Sequence, residues 1–518
     1  MRLLLALSVT LTSITLCWGA RILALLPVNS RSHFIVMEPL LLELRKRGHH
    51  LTVVSSFPQK EPLQNLTDID FSSQLPPPTN LFSIGIIREK LRSMYSAASF
   101  IIEFHLNVCN EVLRNKTVLN HLNREKFDLV IGEIFGADCF NYYAYKMKVP
   151  FISWVSSTML PWASERIGLP DNPSYIPNYF VNYSPEMTFF QRIFNTASLY
   201  FINTLYYYHS DLPVWRLAEN VFGEKLPPIE EINRQTSLIL LNSHFSLSQS
   251  RPFTPNIIEV GGIHIGDVQP LPKDIKEFLD NANNGVILMS FGSLVKVSSL
   301  PPQLIRMFLD VFASLPQRVI FKYEEDGLEV PSNVMYKHWL PQSDIIAHPN
   351  VRVLISHGGL ASTTEAVHHA KPLIAIPFFA DQFKNAWNVI YRGGGILLDF
   401  DSISQNEFSQ ALKAVLKNPD YTQNMRRLSQ QFRDRPMTPL QTAVYWTEYV
   451  IRHQGAPHLR PASVNLPLYQ YLLLDVIAVL ATSLVAALFI FYHVIKYTFK
   501  CAKIALYTPR ITTKSKNE

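Results

Sequence analysis

The chain is poor in cysteine, with four in 518 residues, so a scaffold stapled by several disulfides is excluded. Cys17 lies in a predicted leader segment and Cys501 in a predicted cytosolic tail. Only Cys109 and Cys139 remain, and one pair is too few for a disulfide framework. The sequence leaves open whether these two residues pair.

Charge is also scarce, at 17% of residues against 47% hydrophobic ones, which excludes an intrinsically disordered chain. The formal net charge of +6 lies almost entirely beyond Tyr492, where six cations face the single acid Glu518. These cations are Lys496, Lys500, Lys503, Arg510, Lys514 and Lys516. The bulk of the chain is therefore nearly neutral, and the basic tail indicates the cytosolic flank of a membrane span and no nucleic-acid partner.

Long apolar runs are confined to the two ends. Residues 1–19 have a basic start at Arg2, an apolar core and small residues before Ala20, which predicts a signal peptide; a buried N-terminal helix is the alternative. Residues 472–492 are apolar except for Asp475 near one edge. At about 1.5 Å per residue they cross a hydrocarbon layer of about 30 Å, so we expect one transmembrane helix, with the large domains in the lumen and the tail in the cytosol.

The C-terminal tail and three N-glycosylation sequons indicate the endoplasmic reticulum as the compartment. Lys514 and Lys516 stand five and three positions from the end, a spacing similar to the dilysine retrieval signal of endoplasmic reticulum membrane proteins. Asn65, Asn115 and Asn182 each begin an Asn-x-Ser/Thr acceptor for an N-glycan, although Pro185 makes the third less favourable. We therefore predict a single-pass type I protein of the endoplasmic reticulum membrane.

Strand and helix signals alternate twice along the chain. A strand at 21–27, a helical spacing at 34–47 and a strand at 51–56 form a βαβ unit, and further buried strands follow at 127–133 and 149–155. A second run of such elements begins near 284 and continues to about 435. Two such halves predict an α/β protein with two Rossmann-like domains facing across a cleft. The predicted divisions are a signal peptide at 1–19, domains at 20–265 and 266–455, a linker at 456–471, the span at 472–492 and the tail at 493–518.

Residues 158–232 are unusually rich in Phe and Tyr. The plain interpretation is helical packing inside the first domain. The alternatives are an aromatic acceptor site or a surface that dips into a membrane.

The common phosphate-binding motifs are missing, since there is neither a Walker lysine nor a G-x-G-x-x-G string. The segment 339–382 carries a different pattern, in which a buried strand at 351–356 is followed by the turn His357-Gly358-Gly359 and by a helix that we expect to open at 362–365. Glycines let a ligand approach the backbone, and the free N–H groups of a helix start attract phosphate. The segment therefore predicts a nucleotide-diphosphate pocket.

The whole segment resembles the signature of the UDP-glycosyltransferase family, specifically its membrane-anchored animal branch. The resemblance rests on Trp-x-Pro-Gln, His-Gly-Gly, Glu365 and Asp381-Gln382 in that order and extends over nearly the full chain; two other stretches, SRSH and LNSHF, look more like invertebrate members. It implies the GT-B fold and a UDP-sugar donor.

The resemblance also implies roles for donor-side residues. Uracil would stack on Trp339 with Gln342 nearby, and Glu365, expected in the first turn of its helix, would accept the ribose hydroxyls. The pyrophosphate would contact Ser293, His357, Gly358 and Gly359. Hydroxyls of the transferred sugar would contact Asp381 and Gln382.

On the acceptor side, His33 directly follows the first strand, where the family places its catalytic base. A histidine can accept a proton from a hydroxyl at neutral pH, and a carboxylate would orient the ring. The family has an aspartate after the strand at 127–133; this chain has Glu133 there and Asp138 five residues later, so the partner stays open. Attack opposite departing UDP in one displacement would invert the anomeric centre.

Two Asp-x-Asp strings, at 68–70 and 399–401, match those of metal-dependent transferases. The first adjoins a sequon and the second follows a strand, and a helix start can neutralise UDP; we therefore expect no metal site and no cofactor, the UDP-sugar being a co-substrate. Asn242, where some glucuronate-using relatives carry an arginine, favours UDP-glucose as donor.

We expect hexose transfer to a small lipophilic hydroxyl compound. The alternatives are a UDP-glucuronosyltransferase, a lipid (ceramide-type) glycosyltransferase and a non-catalytic UDP-sugar-binding paralogue. The sequence leaves open whether the chain forms homo- or hetero-oligomers.

Overall fold

The computed structural model describes residues 19–76, 82–91 and 93–507. The signal peptide predicted at 1–19 lies almost wholly outside this range, as do Lys514 and Lys516 of the predicted retrieval signal. The chain divides into two compact units, residues 1–461 and 462–518. The first contains both predicted domains, and the second contains the C-terminal apolar helix.

The first sheet has seven parallel strands in the order β3-β2-β1-β4-β5-β6-β7. Its strands are β1 Arg21–Leu26, β2 His50–Ser55, β3 Leu66–Asp70, β4 Leu129–Glu133, β5 Phe151–Val155, β6 Leu238–Leu241 and β7 Ile257–Glu259. The central strands are apolar at nearly every position and buried, as expected where helices cover both faces of a parallel sheet.

The second sheet has six parallel strands in the order β10-β9-β8-β11-β12-β13. Its strands are β8 Val286–Ser290, β9 Arg318–Lys322, β10 Val334–Lys337, β11 Val351–Ser356, β12 Leu373–Ala375 and β13 Gly395–Leu397. This is the strand order of a Rossmann fold, and the first sheet has the same order with one further strand. The predicted pair of Rossmann-like domains is confirmed.

Helices alternate with these strands. The α-helices of the first unit are Arg31–Lys46, Ile84–Lys90, Met94–Arg114, Lys116–Arg124, Asn141–Met147, Phe189–Tyr206, Leu212–Phe222, Ile229–Asn233, Lys273–Asp280, Pro302–Ala313, Gln342–Ala347, Leu360–His368, Gln382–Tyr391, Gln405–Lys417, Pro419–Arg433 and Pro439–Arg452. A π-helical turn, Tyr207–Asp211, joins two of them, and short 3₁₀ turns occupy Pro161–Ala163, Glu165–Ile167, Val297–Ser299 and Pro457–Leu459.

Each half of the first unit contributes one helix to the core of the other. The helix Ile84–Lys90 packs among the apolar residues of the second sheet, and Phe82 pairs with Val295 in an isolated parallel bridge. The helix Pro439–Arg452 packs instead against the first sheet. The boundaries 20–265 and 266–455 remain predictions, but two contiguous ranges do not describe these exchanged helices.

The second unit contains a 34-residue helix, Leu474–Tyr507, whose side chains are exposed throughout. It is long and apolar enough to cross a membrane. It begins two residues after the predicted start of the span and continues well past the predicted end. A 3₁₀ turn, Ala462–Asn465, and a short helix, Leu468–Tyr471, precede it.

Cys109 and Cys139 form a disulfide, which resolves the pairing that the sequence left open. It joins the helix Met94–Arg114 to the segment that precedes the helix Asn141–Met147. Both sulfur atoms are buried in the apolar core beside the first sheet.

Candidate active site

The predicted site residues cluster at the two topological switch points, where neighbouring strands have connections that leave in opposite directions. In the first sheet this point lies between β1 and β4, and in the second between β8 and β11. Ligands of doubly wound sheets bind outside the carboxyl ends of the strands at such points. His33 follows β1 and Glu133 ends β4, while Ser293 follows β8 and His357 follows β11.

A cavity of about 490 Å³ lies between the two halves. The first half contributes most of the phenylalanines of the cavity wall, and the second half contributes its carboxylate and amide side chains. The apolar side chains of the first half include Phe82, Leu91, Ala97, Phe100, Ile101, Phe104 and Phe135. The polar side chains of the second half include Ser293, Gln342, His357, Ser362, Glu365, Asp381 and Gln382. One cavity thus joins a surface suited to a lipophilic molecule to one suited to a sugar nucleotide.

His33 lies in the first turn of the helix Arg31–Lys46 and lines this cavity. Its Nδ1 lies 2.7 Å from Glu133 Oε1 and 2.9 Å from Ser156 Oγ. Because a carboxylate only accepts, Nδ1 carries the proton and its N–H donates a hydrogen bond to Glu133, which leaves the lone pair on Nε2. The ring also packs edge-on against Phe135, with centroids 4.6 Å apart.

The environment of His33 favours its protonated form. Burial by itself lowers the pKa of an imidazole, but the charge and hydrogen bond of Glu133, with a contribution from Asp381, outweigh burial and raise the pKa of His33. Glu133 and Asp381 come from different halves of the chain. The histidine thus lies within reach of charges on both sides of the cleft.

Asp138 belongs to a different cluster. Its Oδ2 accepts hydrogen bonds from Arg166 Nη2 at 2.6 Å and from Tyr206 Oη at 2.7 Å, all three groups being buried. Of the two acids that the sequence offered as partners of His33, Glu133 makes the contact and Asp138 binds this arginine. Asp138 does not line the cavity.

On the donor side, the turn after β11 leaves no room for side chains. Gly358 has a φ of +79°, and a Cβ there would lie 2.6 Å from the carbonyl oxygen of Gln382. A Cβ on Gly359 would lie 2.5 Å from His357 Nε2. Gly358 is therefore required by its φ and by the backbone contact, whereas a Cβ on Gly359 would displace the His357 ring. The two glycines leave the backbone N–H groups at the start of the helix Leu360–His368 uncovered by side chains. Burial, aided by the charge of Lys322, lowers the pKa of His357 to about 4, so this ring is neutral at physiological pH.

Gln342 and Glu365 are already paired. Gln342 Nε2 donates to Glu365 Oε2 at 2.6 Å and to Ser362 Oγ at 2.9 Å, and His264 Nε2 lies 3.6 Å from Glu365 Oε1. The expectation that Glu365 lies in the first turn was wrong, because the helix begins at Leu360 and Glu365 is its sixth residue. Interaction with the helix dipole therefore does not explain this buried carboxylate. Nearby, Trp339 lines the cavity with 57% of its surface exposed.

Asp381 and Gln382 line the cavity where the helix Gln382–Tyr391 begins. Asp381 Oδ2 accepts a hydrogen bond from Asn385 Nδ2 at 2.8 Å, and burial raises the pKa of the Asp381 carboxyl. Gln382 Oε1 accepts from the backbone N–H groups of Phe378 and Phe379 at 2.8 and 3.2 Å. Those bonds fix the amide, so that its NH₂ group is the end available to a ligand.

Sequence reasoning missed two polar residues of this region. Ser156 follows β5 and bonds His33, and Lys322, the last residue of β9, lines the cavity with its ammonium 3.5 Å from Glu324. Burial, only partly offset by Glu324, lowers the pKa of Lys322. Both residues stand at carboxyl ends of strands, the position that identified the other site residues, so the same signal could have found them.

Other predicted residues lie away from the cavity. Asp68 and Asp70 are on the edge strand β3, and Asp399 and Asp401 are in the turn after β13. Asn242 is buried and donates to the Ser156 carbonyl oxygen, and it does not line the cavity. Its identity therefore gives no direct information about the donor sugar.

The sequons occupy surface turns and a helix cap. Asn65 precedes β3 with a φ of +60°, Asn182 is exposed, and Asn115 caps the helix Lys116–Arg124 through Oδ1. This cap leaves the Asn115 amide nitrogen free of the capping bonds. All three remain predicted glycosylation sites.

The two Rossmann-like domains that share a cleft form the GT-B fold. Solved structures agree: a kitacinnamycin glycotransferase superposes with a TM-score of 0.56 over 84% of this chain and 98% of its own, at 15% identity. The calicheamicin glycosyltransferase CalG4 gives a TM-score of 0.54 over 84% and 99%, at 18% identity.

The family follows from sequence comparison. The model for "UDP-glucoronosyl and UDP-glucosyl transferase" matches residues 21–506, and the chain belongs to this family of UDP-glycosyltransferases. UDP-glucosyltransferase 2 of Dactylopius coccus is 42% identical over 92% of this chain and 93% of its own length. UDP-glucuronosyltransferase 2B1 of Rattus norvegicus is 30% identical over 91% and 92%.

Proposed function

We propose that this UDP-glycosyltransferase moves glucose from UDP-glucose to a hydroxyl of a small lipophilic acceptor, with inversion at the anomeric carbon. The observation that carries the proposal is the shared cavity. His33, whose ring is hydrogen-bonded to Glu133 behind it, lies on the same wall as the phenylalanines, and the nucleotide-type turn lies opposite.

His33 is the proposed base. Its Nε2 takes the proton of the acceptor hydroxyl while that oxygen forms a bond to the anomeric carbon. The bond from the anomeric carbon to the UDP oxygen breaks, and UDP leaves with the electron pair. Glu133 stabilises the imidazolium through the Nδ1 bond of 2.7 Å. An α-linked donor attacked from the opposite side gives a β-glycoside.

The second wall is the proposed UDP-sugar site. Uracil stacks on the exposed indole of Trp339, and Glu365, with Gln342 beside it, accepts the ribose hydroxyls. The pyrophosphate lies against Ser293 and the turn His357-Gly358-Gly359, where helix N–H groups offset the charge of the leaving UDP. Asp381 and Gln382 bind hydroxyls of the hexose. No step in this scheme requires a metal or cofactor.

Glucose is supported by the glucosyltransferase relative at 42% identity. A specific observation also favours glucuronate as the second candidate, because the cations Arg31 and Lys322 line the cavity and a donor carboxylate would need such a partner. Parallel assays with UDP-glucose, UDP-glucuronate and UDP-galactose distinguish these donors. Equal or faster transfer from UDP-glucuronate would overturn the proposal of glucose.

We further propose a luminal location in the endoplasmic reticulum, with the helix Leu474–Tyr507 as the single span. The Cys109–Cys139 disulfide supports an oxidising compartment. In intact microsomes, the first unit should resist added protease, and glycosidase treatment should increase its gel mobility. Cleavage of the first unit without detergent would contradict this topology.

The test of the base is His33→Ala in microsomes with radiolabelled UDP-glucose and a panel of phenols, steroids and sphingoid lipids. Transfer should fall by at least ~10²-fold, because proton transfer by a positioned side chain contributes about 10²–10⁴-fold. His105→Ala is a matched control, since this second histidine of the cavity has Nδ1 on the Ile101 carbonyl oxygen and no contact with Glu133 among its hydrogen bonds. Wild-type transfer by His33→Ala would show that the base is misassigned.

A further inference from the structure

The helix Phe189–Tyr206 is apolar on its outward face. The exposed positions recur every three or four residues, as one side of a helix does, and continue into the following π-helical turn. Its large exposed residues are Phe189, Phe190, Ile193, Phe194, Tyr200, Phe201, Tyr207 and Tyr208. Phe190 is 79% exposed. We call this set the aromatic face.

The side of the helix that faces the protein is partly polar. Asn195 is buried, donates to the carbonyl oxygens of Pro173 and Ile176 at 2.8 Å, and accepts from the backbone N–H of Asn178 at 2.7 Å. Beside these hydrogen bonds the inward side also buries Leu199, Ile202 and Leu205. The helix is therefore apolar on both sides, whereas an ordinary surface helix has a polar outward side. A contiguous exposed patch of this kind marks an interaction surface.

The charge of the helix indicates which kind of partner the aromatic face can bind. Residues 189–206 contain no acid, and their single cation, Arg192, donates to the Met187 carbonyl oxygen and lies over the Phe189 ring. Tyrosine combines an apolar ring with a polar tip, a combination enriched at membrane–water interfaces. Mixed Phe and Tyr with one arginine therefore fit the head-group region of a bilayer.

The aromatic face adjoins the acceptor side of the cavity. Phe201 contacts Tyr95, with ring centroids 6.3 Å apart, and Tyr95 belongs to the helix Met94–Arg114. The same helix supplies Ala97, Phe100, Ile101 and Phe104 to the cavity wall. A lipophilic acceptor dissolved in a bilayer beside the aromatic face would thus lie one helix away from the site.

We propose that the aromatic face inserts into the interface of the bilayer that the C-terminal helix spans. The covalent connection supports this occupant, because the 12 residues 462–473 join the first unit to that helix and reach at most about 40 Å when fully extended. The first unit is therefore confined near the membrane. The inference rests on the proposed membrane placement but not on the identity of the donor or of the base.

The test uses the full chain in phosphatidylcholine vesicles. Phe190→Cys carries an environment-sensitive fluorophore in a Cys501→Ser background, which removes the free cysteine among the described residues. Val268→Cys in the same background is the matched control, since Val268 is another exposed apolar residue of the first unit, 59% exposed. Lipids with a spin label near the head group are added, and the loss of emission is measured.

At position 190, the emission should shift to the blue and be quenched by the spin-labelled lipid, with neither effect at position 268. Equal quenching at both positions, or none at 190, would overturn the proposal. A blue shift at 190 that spin-labelled lipid does not quench and that grows with the protein-to-lipid ratio would also overturn it, because it indicates a second copy of the chain. Sugar transfer by the labelled protein is assayed separately, so a failure of the proposed reaction would not be mistaken for a failure of membrane insertion.

Discussion

Replacing Glu133 by Gln removes the negative charge that contacts the His33 ring and keeps nearly the same shape. The Nδ1–Oε1 distance is 2.7 Å, and the two side chains are 16% and 4% exposed, so water screens the pair little. The amide oxygen can still accept the Nδ1 hydrogen bond. The change therefore tests the charge of the carboxylate with little effect on packing.

The expected fall in kcat of Glu133→Gln follows from the positive charge that develops on His33 in the reaction. As His33 takes the acceptor proton, a unit positive charge forms about 4 Å from the centre of the carboxylate. At an effective dielectric constant of about 20, this interaction is worth roughly 4 kcal/mol, or about 10³-fold in rate. Because the neutral amide keeps one hydrogen bond, we expect kcat to fall by about 10²- to 10³-fold.

The pH dependence of kcat/KM is a second, independent test of the contact between His33 and Glu133. The base must be neutral, so kcat/KM of the wild type should fall as the pH drops through the raised pKa of His33. In Glu133→Gln the burial that lowers the pKa of His33 remains while its main opposing cause is gone. The acid limb should therefore move to lower pH.

The same ion pair affects folding stability with a defined sign. Since the folded-state pKa of His33 is raised, its contribution is fully present below the unfolded pKa of about 6.5 and is lost as the pH rises through the folded value. The difference in melting temperature between wild type and Glu133→Gln should shrink accordingly above that pH.

The control for this experiment is Glu133→Asp, which keeps the charge one methylene farther from the ring. It should retain the wild-type position of the acid limb more closely than Glu133→Gln, at a reduced rate. A Glu133→Gln enzyme with wild-type kcat and an unmoved acid limb would refute the assignment of His33 and Glu133 as base and partner.

Four further perturbations test the donor side, the scaffold and the scheme without metal. Trp339→Ala should raise KM for UDP-glucose by roughly 5- to 150-fold, the value of about 1–3 kcal/mol of stacking, with kcat little changed in initial-rate assays; an unchanged KM would place uracil elsewhere. Gly359→Ala should abolish UDP binding in calorimetry, because its Cβ would displace His357, and wild-type affinity would contradict the proposed turn. Removing the disulfide with Cys109→Ser and Cys139→Ser should cost about 3–4 kcal/mol for a loop of 30 residues, read from thermal unfolding, whereas an unchanged melting temperature would show that it adds no stability. Chelation with EDTA should leave the transfer rate unchanged; a loss restored by a divalent ion would contradict the scheme without metal.

Site residues could be predicted from the sequence where a buried strand is followed by a polar residue. Both central strands of each sheet are near-continuous apolar runs, so β1, β4, β8 and β11 could be recognised from composition and length alone. Their carboxyl ends meet at the switch points, which is why residues distant in sequence gather at one cavity.

Local details that depend on packing could not be predicted from the sequence. The helix after His357 begins two residues earlier than predicted, because Gly359 rather than Ser362 marks its start, and this moved Glu365 out of the first turn. The exchange of the helices Ile84–Lys90 and Pro439–Arg452 was not predicted, because each packs in the core of the half to which it does not belong by sequence.

The choice of carboxylate also required the structure. Glu133 and Asp138 are five residues apart, and both are buried beside the first sheet. Their contacts separate their roles, because Glu133 lies beside the His33 ring whereas Asp138 binds Arg166 and Tyr206. No periodicity or motif in the sequence records those contacts.

The most direct test is the structure of the full chain with UDP bound. The account predicts uracil against the indole of Trp339 and the phosphates within about 3 Å of backbone N–H groups at 357–360, in the cavity that His33 lines from the other side. A nucleotide bound outside that cavity would contradict it.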